Sequence, residues 1–170
     1  MRKSIAIEML LFVLTVLLGI SGVANALTII ETANYLGSDY NLIYEDDSIY
    51  GGLVWLDYTK GSDTRQNQVD WASGLNGALS VTLDPGYTST IEWSTGWRLP
   101  SAGDNPQIEY NQNTSEMGHL YYVSLGNLGY FATATDTTYP QTGWGLQNTG
   151  PFSHLQDDFY WSGILLLSLS

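Results

Sequence analysis

Apolar and polar residues fall along this chain in blocks of differing period. An almost unbroken apolar run, Ile5 to Ile20, follows Arg2 and Lys3, and Ala24-Asn25-Ala26 closes it with a small-x-small site. That order predicts a secretory leader over residues 1–26, with Leu27 opening an exported domain over 27–170. The run is shorter than the roughly 20 residues a bilayer span needs, which argues against an uncleaved anchor, and the apolar tail Ile164 to Ser170 is far too short to span, so no membrane anchor is expected after cleavage. Leu27–Glu31 predicts a short strand, then loop to Asp39. Asn41–Glu45 and Leu53–Tyr58, rich in β-branched and aromatic residues around Asp46-Asp47-Ser48 and Gly51-Gly52, predict a hairpin. The nearly continuous apolar run Leu53–Tyr58 predicts a central strand with a neighbour on each side.

The period then changes. Asp63, with Gln66 three residues on, predicts a helix start, Val69, Trp71, Ala72 and Leu75 make its apolar face, and Gly74 and Gly77 end it. Ala78–Leu83 and Tyr87–Trp93 read as strands about the turn Asp84-Pro85-Gly86. Asn113 and Glu116 cap a second helix, with Met117, Leu120, Tyr121 and Leu125 at helical spacing before Gly126. Gly129 to Ser153, rich in Thr, Gly, Gln, Asn and aromatics, has no helical period and predicts a long irregular surface excursion, the kind of segment that often carries binding residues. The pattern predicts one α+β domain, a mostly antiparallel sheet flanked by two helices.

Gly96-Trp97-Arg98-Leu99-Pro100 stands apart. Gly96 frees the backbone for a turn, Trp97 and Leu99 alternate as in a short strand, and Pro100, lacking an N–H, ends it. Arg98 is one of three basic residues outside the leader in a strongly acidic chain, so a carboxylate or the carbonyls of the next turn are its expected partners. Together with Gly52-Leu53-Val54-Trp55-Leu56-Asp57, the helix carrying Trp71 and Ala72, and Tyr160-Trp161-Ser162-Gly163, this stretch resembles the Lcl C-terminal domain family of bacterial secreted proteins. The resemblance covers about Leu42 to Gly163. It implies a C-type-lectin-like fold, a structural role for Trp55, Asp57, Trp97, Arg98, Pro100 and Trp161, and adhesion through glycan or matrix binding, with no catalytic residues. Chains of this family continue past the Tyr-Trp-Ser-Gly motif with closing strands. Here only the apolar Ile164 to Ser170 follows, so the domain is expected to be incomplete and to self-associate through an open sheet edge.

Charge narrows the partners. The chain carries a formal −12, and loss of Arg2, Lys3 and Glu8 with the leader makes that −13. Such a surface repels nucleic acid, anionic lipid and sulfated glycans, a departure from the attachment to sulfated glycans associated with the family's adhesin. Cysteine is absent, so no disulfide staples this exported domain.

Chemistry is thinly signalled. His119 and His154 have no partner at zinc-ligand spacing, no Gly-x-Ser-x-Gly elbow is present, and the many carboxylates single out no hydrolytic pair. No cofactor is expected. The pairs Asp46-Asp47 and Asp157-Asp158 are candidate calcium ligands, although no Asp-x-Asn-x-Asp-Gly loop surrounds them. Tyr139, Trp144 and Phe152 in the long excursion are the candidate ligand-binding residues, because aromatic faces stack on sugar rings and protein surfaces. The expectation is a secreted, extracellular or periplasmic, noncatalytic domain that binds glycan or a cell-surface or matrix component. An exported hydrolase and a purely structural envelope module are the alternatives.

Overall fold

The computed structural model describes residues 27–46, 51–83, 85–86, 96–104, 106, 111–133, 140–158, 160 and 162–163. Asp47, Tyr139 and Trp161, the predicted strand over 87–93 and both chain ends lie outside them. Strands β1 (Leu27–Tyr35), β2 (Ser38–Glu45), β3 (Leu53–Leu56) and β4 (Ser80–Val81) form one antiparallel sheet in the order β3-β2-β1-β4. Among the described residues two helical segments accompany it: α1 (Arg65–Ala78), and the short α2 (Glu116–His119), which runs directly into a π-helical turn, Leu120–Ser124. The α+β class is as the pattern predicts.

The first hairpin is longer than expected. β1 continues to Tyr35 and turns through Leu36 (φ 53°) and Gly37 (φ 85°) into Ser38. Positive φ at both turn centres suits the right-handed twist of the flanking strands, but leucine rarely occupies that region, so nothing in the residue types announced a turn. A register shift between Ile29 and Glu31 makes a bulge that buries Ile30 while Ile29 faces solvent.

β3 corrects a second expectation. Among the described residues it pairs with β2 alone and is the edge of the sheet. Its apolar run is explained by cover on both faces. Trp55 packs with the buried cluster Ile43, Leu120, Leu125 and Phe152, while Val54 and Leu56 pack with Ile30, Ala33 and Leu42. Continuous hydrophobicity reported burial of the faces; it carried no information about pairing at the edge.

α1 starts one residue later than predicted. Thr64 is the cap, its hydroxyl accepting from the Asn67 N–H at 3.3 Å, while Asp63 accepts from the Thr64 N–H at 2.8 Å and from the Asn67 amide at 2.7 Å. Gln66 donates forward to Asp70 at 2.8 Å instead of back to the cap. The helix continues through Gly74 and Gly77, both exposed, and ends at Ala78, so the strand predicted from Ala78 shrinks to Ser80–Val81. The second helix is capped by Ser115, not Asn113, because the Ser115 hydroxyl takes the Gly118 N–H at 3.0 Å. Glu116 is thereby left for another task.

Candidate functional site

Arg98 and Glu116 meet as a two-pronged ion pair, with both guanidinium N–H to carboxylate oxygen distances at 2.7 Å. Arg98 also donates to the Leu99 carbonyl at 3.0 Å, and the Ser101 N–H donates to Glu116 at 2.7 Å. Burial alone would raise the Glu116 pKa, but the hydrogen bonds from Arg98 and Ser101 outweigh it and hold the carboxyl below its ordinary value. The same bonds to Glu116 raise the Arg98 pKa. Trp97–Pro100 forms no strand. It is pinned instead by this pair, by the Trp97 N–H donating to Asn76 Oδ1 at 2.8 Å, and by the Gly163 N–H donating to the Pro100 carbonyl at 2.8 Å.

Asp57 follows β3 and is 2 % exposed. Its carboxylate accepts from the Ser153 and His154 N–H groups at 2.8 and 2.9 Å, with His154 Nδ1 at 3.3 Å, fastening the returning chain to the end of β3. Trp55, Asp57, Trp97, Arg98 and Pro100, with Tyr160, line one cleft of roughly 850 Å³. Residues distant in sequence thus converge on a single concavity, whose further wall is Tyr58 stacked on Trp71 at 5.6 Å and 27°.

A second polar cluster holds residue types familiar from hydrolases. Glu45 and His119 are 0 % and 2 % exposed, with His119 Nδ1 3.4 Å from Glu45 Oε1. Ser124 donates its hydroxyl to the same carboxylate, and the Trp55 indole N–H donates to its other oxygen at 2.8 Å. The serine proton is directed at the acid, and Glu45 and His119 are closed from solvent. The arrangement ties β2, β3 and the second helix together and presents no activated nucleophile.

The long excursion supplies an exposed aromatic ledge. Residues 127–131 alternate buried and exposed, placing Asn127, Gly129 and Phe131 inward and Leu128 and Tyr130 outward. Trp144 comes back beside them, its ring 4.8 Å from Tyr130 at 73°, and the two are 43 % and 40 % exposed. Gln141 braces the ledge. Its backbone N–H donates to the Tyr130 carbonyl at 2.9 Å and its side chain to the carbonyls of Gly129 and Phe131 at 2.8 and 3.0 Å. Asn127, 4 % exposed, holds the next turn by accepting from the Gln147 and Asn148 N–H groups at 3.0 and 2.8 Å. Asp157 Oδ2 lies 3.6 Å from where a side chain on Gly145, the residue after Trp144, would begin. Burial first, and then this same carboxylate, raise the pKa of Tyr121.

Of the predicted ligand-binding residues, Trp144 is therefore exposed and braced. Phe152 is not a surface residue: at 8 % exposure it packs with Ile43, Leu120 and Leu125, because the turn closed by its N–H on the Thr149 carbonyl at 3.0 Å folds it inward. Sequence reasoning missed Tyr130, because the two-residue alternation over 127–131 has apolar residues on both faces, Leu128 and Tyr130 outside and Phe131 inside. Asp46, Asp157 and Asp158 are all exposed. Among the described residues no three His, Cys, Asp or Glu side chains come together as a metal-holding group. Comparison with known proteins gives no matching family model, no similar curated protein and no similar solved structure.

Proposed function

We propose that this chain is an exported, noncatalytic domain that attaches to glycan on a cell surface or matrix, using the ledge of Tyr130 and Trp144, with Asp157 close to the neighbouring Gly145. The observation that carries this reading is the exposure of two large aromatic rings in a fixed edge-to-face geometry. A monomeric protein gains nothing in stability from rings left in water, whereas a pyranose face covers such a ring and its hydroxyls need acceptors at the margin. Asp157, exposed beside Gly145, is such an acceptor. The net charge favours neutral or amine-bearing glycans over sulfated ones.

The lectin-like fold, kinship with the Lcl C-terminal domain family and removal of residues 1–26 on export belong to the same proposal. They are supported by the motif order and the leader pattern. The position of β3 at the edge of the sheet among the described residues supports self-association as an accompanying property. The test is a glycan array with and without calcium, comparing the protein with Trp144→Ala. Binding to neutral glycans that falls at least about tenfold in the variant, equivalent to roughly 1.4 kcal/mol of lost stacking, is expected. Absence of binding to any glycan, or equal binding by the variant, contradicts the proposal.

A further inference from the structure

The cleft described above shares no side chain with the Tyr130–Trp144 ledge, and nothing in the glycan reading uses it. Its volume, roughly 850 Å³, falls within the 300–1,000 Å³ range of small-molecule sites. One wall is the Tyr58–Trp71 stack, held in place because the Trp71 indole N–H donates to the Tyr35 hydroxyl at 3.1 Å and because the Tyr35 and Tyr40 rings meet Tyr58 edge-on at 5.3 and 4.9 Å. Trp97 and Tyr160 contribute further ring surface. A site framed by braced rings is preorganised.

Its charges settle what it attracts. Asp57, Asp63 and Asp158 line the cleft against Lys60 and Arg98. Arg98 is already answered by Glu116 from outside the lining, and Lys60 stands 4.0 Å from Asp63. The lining thus holds three carboxylates against two basic side chains, within a chain whose formal charge of −12 adds a long-range pull on cations. Aromatic faces also attract cations through the ring quadrupole, most strongly those that are large and weakly hydrated.

We propose that the cleft is a second binding site, selective for an organic cation of the alkylammonium class, held against the Tyr58–Trp71 wall with Asp158 at its rim. Such a group has an apolar body that fills the cavity and a diffuse charge that the rings and the rim stabilise together. A sulfated or carboxylated ligand of equal size is repelled.

The discriminating probes are choline and its uncharged isostere 3,3-dimethyl-1-butanol, each titrated into the purified protein by calorimetry and tryptophan fluorescence. Choline is expected to saturate, with the alcohol about tenfold weaker because it lacks the charge. Two side chains at the rim then give effects of opposite sign. Lys60→Gln should tighten choline binding about threefold, and Asp158→Asn should weaken it by a similar factor, while neither changes the affinity for the alcohol. Both positions are solvent-accessible, so circular dichroism and the thermal midpoint should be unchanged. Equal affinities for the two probes would show an apolar cavity only. No saturation by choline up to the order of 10 mM, or choline affinity indifferent to Lys60→Gln, would likewise overturn the proposal. Because the glycan test reads Trp144 and this one reads Lys60 and Asp158, either reading can fail alone.

Discussion

Arg98 offers five donors in a plane, and four of the contacts around it depend on that plane: two to Glu116, one to Leu99, and the Ser101 bond that needs Glu116 held still. Lysine keeps the charge and loses the fork. With Arg98 45 % exposed and Glu116 only 7 %, solvent screens part of the pair, so Arg98→Lys is expected to cost about 1–2 kcal/mol, read as a fall in the thermal midpoint without change in glycan binding. A change in binding with an unmoved midpoint would make Arg98 a ligand residue. The pair also sets a pH dependence. The folded pKa of Glu116 lies below its unfolded value, near 4.3, so its contribution is complete above that pH and is lost as pH falls through the folded pKa. Glu116→Gln should flatten the stability profile in that acid window and lower the midpoint above it. Gly96 carries a different constraint. Its φ is +68°, and a Cβ there would stand 2.5 Å from Asn76 Oδ1, the atom that accepts the Trp97 N–H. Gly96→Ala should therefore cost on the order of 1–2 kcal/mol in denaturant unfolding.

At the scale of elements, the first hairpin holds a strained position that its sequence did not advertise. Leu36 is 85 % exposed at φ 53° and makes no packing contribution that would compensate. Leu36→Asn converts the turn to Asn-Gly, which adopts positive φ readily, and should stabilise the protein by about 0.5–1 kcal/mol in chemical denaturation. Periodicity revealed α1, the β2–β3 hairpin and the apolar face of the second helix, because burial on one side leaves a repeat in the residue types. It could not reveal where Thr64 displaces Asp63 as cap, since two adjacent oxygen-bearing side chains compete for the same N–H groups. Nor could it place β3 at the edge of the sheet that the described residues form, since cover of both faces and pairing of both edges write the same apolar run. Arg98's need for a carboxylate was legible from charge scarcity alone; that the carboxylate would be Glu116 depended on Ser115 taking over the cap.

Over the whole molecule, acidity and exposed aromatics act together. A formal charge of −12 disfavours polyanions at long range, and at the proposed ledge leaves short-range stacking and hydrogen bonding to select the partner. The excursion over 129–153 was recognisable as a carrier of surface residues from its composition and lack of helical period, yet its inner and outer faces were not, so the core position of Phe152 and the emergence of Tyr130 beside Trp144 were not foreseen. The account's central claim is that this ledge is a recognition surface. Its most direct test is calorimetric titration of a neutral oligosaccharide that the array identifies, into the protein and into Tyr130→Ala and Trp144→Ala. Each substitution should weaken binding about tenfold while the thermal midpoint moves by less than about 2 °C, because exposed rings contribute little to folding. Undiminished affinity in both variants would place recognition elsewhere and contradict the account.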